Sequence, residues 1–277
     1  MSNGAATMEA AHAAETGTVS SRAARVGFSV ARMLAVARKE LQSYFAFPLV
    51  YILAGLFAFM AGLYAWNDLN FFETIAFAKD IIQNYWQLLF TDIRFCFLLT
   101  LPFLTMRLFA EERKLGTIEL LYTYPLRDGE ILGGKFIACE VIMLMMLGLT
   151  LLYPVYLHAI HRFPIFPLIS GYLGLVLMGT AFVAFGVFVS SLCESQVVAG
   201  IGTILGLLFF WVVNWNETSF QSNWIEAIRA VSLFDNFGGF AKGVIDLDHV
   251  TYFILFTIFF IYLTLRSMEA RKWTGRR

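Results

Sequence analysis

The sequence predicts an all-α polytopic membrane protein, and three observations support this class. Hydrophobic residues make up 59% of the 277 positions and charged residues only 14%, whereas a soluble domain carries about 25% charged residues. The mean hydropathy is +0.70. Uncharged stretches recur at lengths that suit helices crossing a hydrocarbon core about 30 Å thick. The net charge of +0 also argues against a nucleic-acid-binding domain, which needs a basic surplus.

Six segments are apolar and long enough to be predicted as transmembrane helices. Helices rather than strands are expected, because an open sheet in lipid would leave backbone polar groups unpaired. Together the six segments form one predicted domain, residues 48–268, and they place both termini on the same side of the membrane. The predicted spans are residues 48–66, 86–108, 131–158, 165–192, 196–216 and 250–266.

The basic residues are distributed unevenly between the two sides that six spans define. Five lie before the first span, and five lie in the loop between the second and third spans or at its edges, from Arg107 to Lys135. Five more lie at the C-terminal end, namely Arg266 and the four basic residues of the tail, residues 269–277. These regions together hold 15 of the 20 Lys and Arg residues. The positive-inside rule therefore predicts that both termini are cytoplasmic.

The N-terminal region divides into a tail and an amphipathic helix. Residues 1–27 are rich in Ala, Ser, Thr and Gly, a composition typical of a disordered tail. Residues 28–47 repeat apolar side chains at steps of three and four, with basic residues between them, which predicts a helix in the cytoplasmic headgroup layer. Such a helix either only anchors the chain or also forms a platform for a soluble partner.

The loop after the second span is predicted to carry a short helix of its own. Gly116 breaks the descending helix, Thr117 can cap the next one, and Glu119 suits its positive end. Pro125 disfavours helix at the residue before it, so the helix has about two turns. A helix this short is unstable alone in water and must pack on its own bundle or on another protein. The apolar residues that it exposes are Ile118, Leu121 and Tyr122.

The external segment before the last span is predicted to be a re-entrant helical piece. Phe234, Phe237 and Phe240 recur every three residues and are followed by Gly243 and Asp246. This segment either packs on the bundle or forms a lid over an exit path. The pattern leaves both interpretations open.

One carboxylate is expected within the membrane and is a candidate for function. Glu140 is expected to reach the inner interface and pair with Arg107 or Lys135, with proton or substrate contact as the alternative. Residues 129–135 match the first seven positions of a phosphate-binding loop, but Phe136 stands at the eighth, where magnesium needs Ser or Thr. We therefore expect Lys135 among lipid headgroups, and no catalytic residue, cofactor or metal site on this chain.

A set of residues in the cytoplasmic loop resembles the signature of permease subunits of type 2 ATP-binding-cassette (ABC) exporters. The residues are Arg107, Glu111, Glu112, Gly116, Thr117, Glu119, Pro125, Gly134 and Lys135. Residues 234–237 and 243–246 before the last span are also similar to that family. The resemblance covers residues 31–273, and gliding-motility and copper-enzyme-maturation permeases look nearest.

The resemblance implies a half-transporter in the bacterial inner membrane. It would pair with a second permease as a homodimer or heterodimer, and two ATPase subunits carrying ATP and Mg would dock beneath. The loop helix would couple to the ATPase, with the amphipathic helix as a second contact. A membrane enzyme acting on lipid, or an ATP-independent channel or scaffold subunit, is the alternative. The implied coupling residues are Arg107, Glu111, Glu112, Gly116, Thr117, Ile118, Glu119, Leu121, Tyr122 and Pro125.

Overall fold

The computed structural model describes residues 29–74, 81–116, 126–160, 165–212 and 232–274. Every regular element within these ranges is a helix, which confirms the all-α class. The helices are α1 (Val30–Ala46), α2 (Pro48–Thr74), α3 (Ile81–Thr105), α4 (Arg107–Lys114), α5 (Asp128–Thr150), α6 (Leu152–Ile160), α7 (Phe166–Leu192), α8 (Gln196–Val212), α9 (Gly238–Ala241) and α10 (Leu247–Thr274).

Five stretches of the described residues are long and apolar enough to cross a membrane, so the chain is a multi-pass membrane protein. They are Pro48–Asn70, Tyr85–Lys114, Asp128–His158, Phe166–Leu192 and Leu247–Ala270. The apolar helix at Gln196–Trp211 is shorter. The predicted fifth span, residues 196–216, runs past the end of the described part at 212. A sixth crossing therefore stays a prediction.

The central helix of the bundle is α7. It packs against α3, α8, α9 and α10, and about two thirds of its most apolar stretch is buried, compared with 17% for α10. Small residues allow the helices to approach closely. At Gly174, for example, a Cβ would lie 2.6 Å from Phe240 Cβ, which is too close for any larger residue. α10 continues as a helix to Thr274 and so includes much of the predicted C-terminal tail.

The helix predicted over residues 28–47 is observed as α1. It packs lengthwise on the first turns of α5, where a Cβ at Gly134 would lie 2.7 Å from Val36 Cβ. α1 ends at Ala46, and the next residue, Phe47, is extended because the helical conformation is disfavoured for a residue that precedes proline. Pro48 then begins α2. We call the region where α1, α4 and the start of α5 meet the α1 end of the bundle.

Candidate functional site: an ionic cluster at the α1 end

Lys135 lies at the centre of an ionic cluster that joins three helices. Its ammonium group donates to Glu112 Oε1 at 2.7 Å, to Glu40 Oε1 at 3.2 Å and to the Leu108 carbonyl oxygen at 2.9 Å. An ammonium has three N–H donors, and all three are used here. Only 1% of the Lys135 side chain is exposed. The expectation that Lys135 lies among lipid headgroups is therefore wrong, and the residue instead links α1, α4 and α5.

Arg107 and Glu111 form a second ion pair beside this cluster. The guanidinium contacts both carboxylate oxygens, with Nε 2.6 Å from Oε2 and Nη2 3.0 Å from Oε1. It also lies over the Phe47 ring, 4.7 Å from the centroid, at the bend between α1 and α2. The structure thus brings Arg107, Glu111 and Glu112 together next to α1. Sequence reasoning had grouped these three residues through the family resemblance alone.

Residues of both ion-pair groups line a cavity of about 290 Å³. Three cations and three carboxylates line it, so it presents no net charge to a single ion. Phe47 and Leu115 lie at its apolar side. The charged lining residues are Lys39, Glu40, Arg107, Glu111, Glu112 and Lys135.

Glu130 makes a further tie between α1 and α5 that the sequence did not predict. Its Oε1 accepts a hydrogen bond from the Ser29 amide at 2.7 Å and pairs with Arg32 Nη2 at 3.1 Å. Its Oε2 accepts from the Arg127 amide at 3.0 Å. A carboxylate at the third helical position that reaches back in this way caps the helix. Glu130 therefore fixes the start of α5 and the start of α1 together.

Tyr44 completes the attachment of α1 to its neighbours. Its hydroxyl donates to the Leu104 carbonyl oxygen at 3.1 Å and lies 3.5 Å from Cys139 Sγ. Burial raises the pKa of the Tyr44 phenol well above its ordinary value. The phenol is therefore protonated at physiological pH and acts as a donor to α3.

The second predicted span, residues 86–108, is interrupted at Met106, and α4 begins at Arg107. Pro102 is the sequence signal for this interruption, because proline removes a helical hydrogen bond and crowds the preceding turn. Ser190 of α7 stabilises the new helix start. Its Oγ accepts from the amides of Phe109 at 3.2 Å and Ala110 at 3.3 Å, and donates to the Met106 carbonyl. Those amides belong to the first helical turn, which lacks partners within the helix.

The predicted helix break at Gly116 is confirmed. Its φ is +69°, a left-handed conformation that favours glycine, directly after α4 ends at Lys114. The remaining predicted coupling residues lie outside the described part of the chain, and their roles stay predictions. They are Thr117, Ile118, Glu119, Leu121, Tyr122 and Pro125.

At the opposite end, the predicted external segment packs on the bundle. Phe234, Phe237 and Phe240 are almost completely buried. Arg94 of α3 donates to the Phe234 carbonyl oxygen at 3.2 Å, and its guanidinium lies 5.2 Å and 5.6 Å from the Phe234 and Phe237 ring centroids. Within residues 232–246 the only helix is α9. The helical hairpin and the lid role stay predictions.

Gly243 and Asp246 lie between α9 and α10. Gly243 has φ +85°, and a Cβ there would lie 3.2 Å from Pro167 Cα. Both the backbone conformation and the lack of room for a side chain therefore favour glycine. The Asp246 carbonyl accepts the Val250 amide at 3.2 Å and so starts α10. Its exposed carboxylate lies 3.8 Å from His249 Nε2.

Glu140 does not make the pairing that the sequence suggested. Arg107 and Lys135 bond to other carboxylates, as described above, whereas Glu140 Oε2 lies 3.1 Å from Thr180 Oγ1 of α7. Lys135 and Glu140 are on the same helix but more than one turn apart. The Lys135 side chain is directed toward α1 and α4, so this expectation is wrong.

Comparison with known proteins identifies a family. A family model described as "ABC-2 family transporter protein" matches residues 5–222. The matched region includes α1, α4, α5 and α7 and therefore the whole ionic cluster. A search of curated proteins finds no match. The closer resemblance to gliding-motility and copper-enzyme-maturation permeases stays a prediction.

Proposed function

The chain belongs to the ABC-2 family of transporter proteins, and we propose that this transmembrane transporter component is the permease subunit of an ATP-driven exporter. Separate ATPase subunits, which bind ATP and Mg, supply the energy. A second permease chain, identical or related, completes the translocation path. The chain lies in the bacterial inner membrane with both termini in the cytoplasm, as the distribution of Lys and Arg indicates.

The observation that carries this proposal is the ionic cluster around Lys135. α4 ends at Lys114, and residues 117–125 follow Gly116 as the proposed coupling segment. Glu112 links α4 through Lys135 to α5, and Glu40 links the same ammonium to α1. Separating buried charges from their partners is costly. A force on residues 117–125 therefore moves α1, α4 and α5 together. Because α5 is a long apolar helix, this movement extends into the membrane.

The exposed side of α1 provides the second proposed contact for the ATPase. Val30 and Leu34 are about half exposed, at 55% and 52%, on the helix whose opposite side packs on α5. ATP can shift the permease between two states only if the ATPase binds these two contacts differently in the two states. Because α1 is attached to α5, a change in how the ATPase binds α1 also moves the membrane helix α5.

Co-purification tests the proposal. We expect the tagged chain, extracted from its native membrane, to bring down an ATPase subunit. Glu111→Arg places like charge beside Arg107, and Gly116→Trp forces a large side chain into a left-handed backbone position. Both variants should recover less ATPase, whereas Glu269→Arg, at an exposed site on α10, should recover as much as the wild type. A stable preparation that transports cargo with this chain alone contradicts the proposal.

Gel filtration separates lost coupling from lost folding. Variants that elute as the wild type does and still recover less ATPase support a coupling role for the altered residues. If both correctly folded variants recover the wild-type amount of ATPase, the α1 end is not the coupling surface. An exporter could then still exist, but its ATPase contact lies elsewhere.

A further inference from the structure

The cavity at the α1 end lies where two membrane-crossing stretches of the chain end. The stretch formed by α2 begins at Pro48, and the stretch that includes α3 and α4 ends at Lys114. Phe47 and Leu115, the residues immediately outside these two stretches, both line the cavity. The cavity is therefore at the level of the membrane surface. Lipid headgroups occupy this layer of a bilayer.

The exposed surface beside the cavity is apolar. Phe47 and Leu115 are exposed at 47% and 67%. Next to them, the Phe45 ring lies 6.3 Å from the ring of Tyr51, which is also exposed. Exposed tyrosines are typical of the boundary between membrane and water. A ligand that enters the cavity from this side therefore combines a polar head with an apolar chain.

Two cations in the cavity lining keep hydrogen-bond donors for a ligand. Arg107 uses Nε and Nη2 to bond Glu111, and its Nη1 group donates to no described residue. The Lys39 ammonium lies 3.6 Å from Glu40 Oε1, which is too long for a hydrogen bond. Ser43, four residues after Lys39 on α1, adds a hydroxyl to the same lining. Cationic donors of this kind suit the oxygens of a phosphate group.

Two carboxylates in the same lining keep acceptors for a ligand. Glu40 Oε1 accepts from the Lys135 ammonium, whereas Glu40 Oε2 accepts from no residue in the described part of the chain. Each oxygen of Glu111 accepts one bond from Arg107, and a carboxylate oxygen has two lone pairs. Lys135 has no N–H left to give. An ammonium group on the ligand would supply the missing donors.

The balance of charge around the cavity favours a ligand that carries both signs. A phosphate alone would meet the free donors but would also lie near three carboxylates, and an ammonium alone would lie near three cations. A zwitterion leaves the balance unchanged. The volume of about 290 Å³ is at the lower end of small-molecule sites, which span about 300–1,000 Å³. It therefore suits a headgroup and not a whole lipid.

We propose that this cavity binds the headgroup of phosphatidylethanolamine. The phosphate accepts hydrogen bonds from Lys39 and Arg107. The ammonium donates to Glu40 and Glu111, and the acyl chains lie along the apolar side of the cavity. Phosphatidylcholine carries three methyl groups in place of the N–H donors, and phosphatidylglycerol carries no cation, so each makes only the phosphate contacts. The site is a property of this chain alone and does not depend on the proposed transport function.

Native mass spectrometry measures the lipid preference directly. The purified full-length chain, freed of lipid in detergent and without any ATPase, is titrated with the three lipids carrying identical acyl chains. Phosphatidylethanolamine should bind about tenfold more tightly than either of the others, because hydrogen bonds between charged groups are lost in both. Its N,N-dimethyl derivative, which keeps one N–H, should bind with intermediate affinity. Glycerophosphoethanolamine has the same headgroup without acyl chains, and as a soluble ligand it should bind at least tenfold more weakly than the lipid.

A pair of neighbouring substitutions tests the place of binding. Lys39→Met removes a phosphate contact and should weaken binding of phosphatidylethanolamine about tenfold. Arg38→Met is the matched control, because it removes the same charge from the adjacent position of α1, which is exposed and does not line the cavity. The control should bind as the wild type does, and both variants should elute from gel filtration as the wild type does.

Three results would each overturn the site. They are equal affinity of the wild type for phosphatidylethanolamine and phosphatidylcholine, equal affinity for the lipid and for glycerophosphoethanolamine, and unchanged binding by Lys39→Met. The first two measurements need no substitution, so they decide the matter even if a variant misfolds. Because no ATPase is present, failure of the transport proposal would leave these results unchanged.

Discussion

Replacing Lys135 by methionine tests whether the ionic cluster holds the α1 end together. Methionine keeps most of the apolar stem but removes the cation that Glu40 and Glu112 share, at 3.2 Å and 2.7 Å. The lysine side chain is 1% exposed and the two glutamates are 12% and 17% exposed, so water replaces the lost partner poorly. Removing one member of a buried ion pair typically costs about 3–5 kcal/mol. We expect a loss of that size for Lys135→Met.

Thermal unfolding of the purified chain in one detergent measures this loss. At roughly 2–4 °C per kcal/mol for large domains, the expected fall in Tm is about 6–20 °C. Lys39→Met is the matched control, because Lys39 is 65% exposed and lies 3.6 Å from the same Glu40 carboxylate. An exposed ion pair contributes only about 0–1 kcal/mol. The Tm of the control should therefore stay close to that of the wild type.

A compensated variant separates the charge effect from a packing effect. Combining Lys135→Met with Glu40→Gln and Glu112→Gln removes the whole buried cluster, and such replacements are often neutral in stability. Most of the lost Tm should therefore return. The reasoning is refuted if Lys135→Met unfolds within about 2 °C of the wild type. It is also refuted if the triple variant is no more stable than Lys135→Met alone.

Three further substitutions test the remaining contacts, two of them by thermal unfolding and one by limited proteolysis. Gly134→Ala places a methyl 2.7 Å from an α1 side chain and should cost about 1–3 kcal/mol. Gly148→Ala, with open space on the same helix, should not destabilise, and equal effects would refute the packing argument. Ser190→Ala removes the acceptor of two buried amides and should lower stability by about 1–3 kcal/mol, so an unchanged Tm would refute the capping role. Arg94→Met removes the hydrogen bond and ring contacts that hold residues 232–246, so limited proteolysis should cut there faster than in the wild type, and an equal rate would refute this role.

The helices could be predicted from the sequence because the bilayer sets their length and composition. The predicted span 165–192 is observed as Phe166–Leu192, and the first predicted span begins at Pro48 as observed. The N-terminal helix and the break at Gly116 were also predicted, since periodicity and glycine are local signals. The interruption at Met106 was not predicted, although Pro102 is a signal for it, because the apolar stretch of the sequence runs through both residues.

The ionic cluster could not be predicted because its members meet only through helix packing. Lys135 and Glu40 are separated by 95 positions in the sequence, and Lys135 and Glu112 by 23. Gly133 and Gly134 lie against Met33 and Val36 of α1 in the structure, but nothing in the sequence shows that α1 is their partner. Without that partner, a lysine near a helix start looks like a headgroup contact. The pairing expected for Glu140 was wrong for the same reason, since the direction of the Lys135 side chain depends on α1 and α4.

α5 carries both the buried Lys135 and Glu140, which yields a test of whether the two residues are coupled through the helix. Lys135 and Glu140 share no hydrogen-bond partner and lie roughly 7.5 Å apart along one helix. The stability changes of Lys135→Met and Glu140→Gln should therefore add within about 0.5 kcal/mol in the double variant. A double variant whose loss of stability differs from the sum of the two single losses by more than about 1 kcal/mol would show instead that the two residues are coupled through α5.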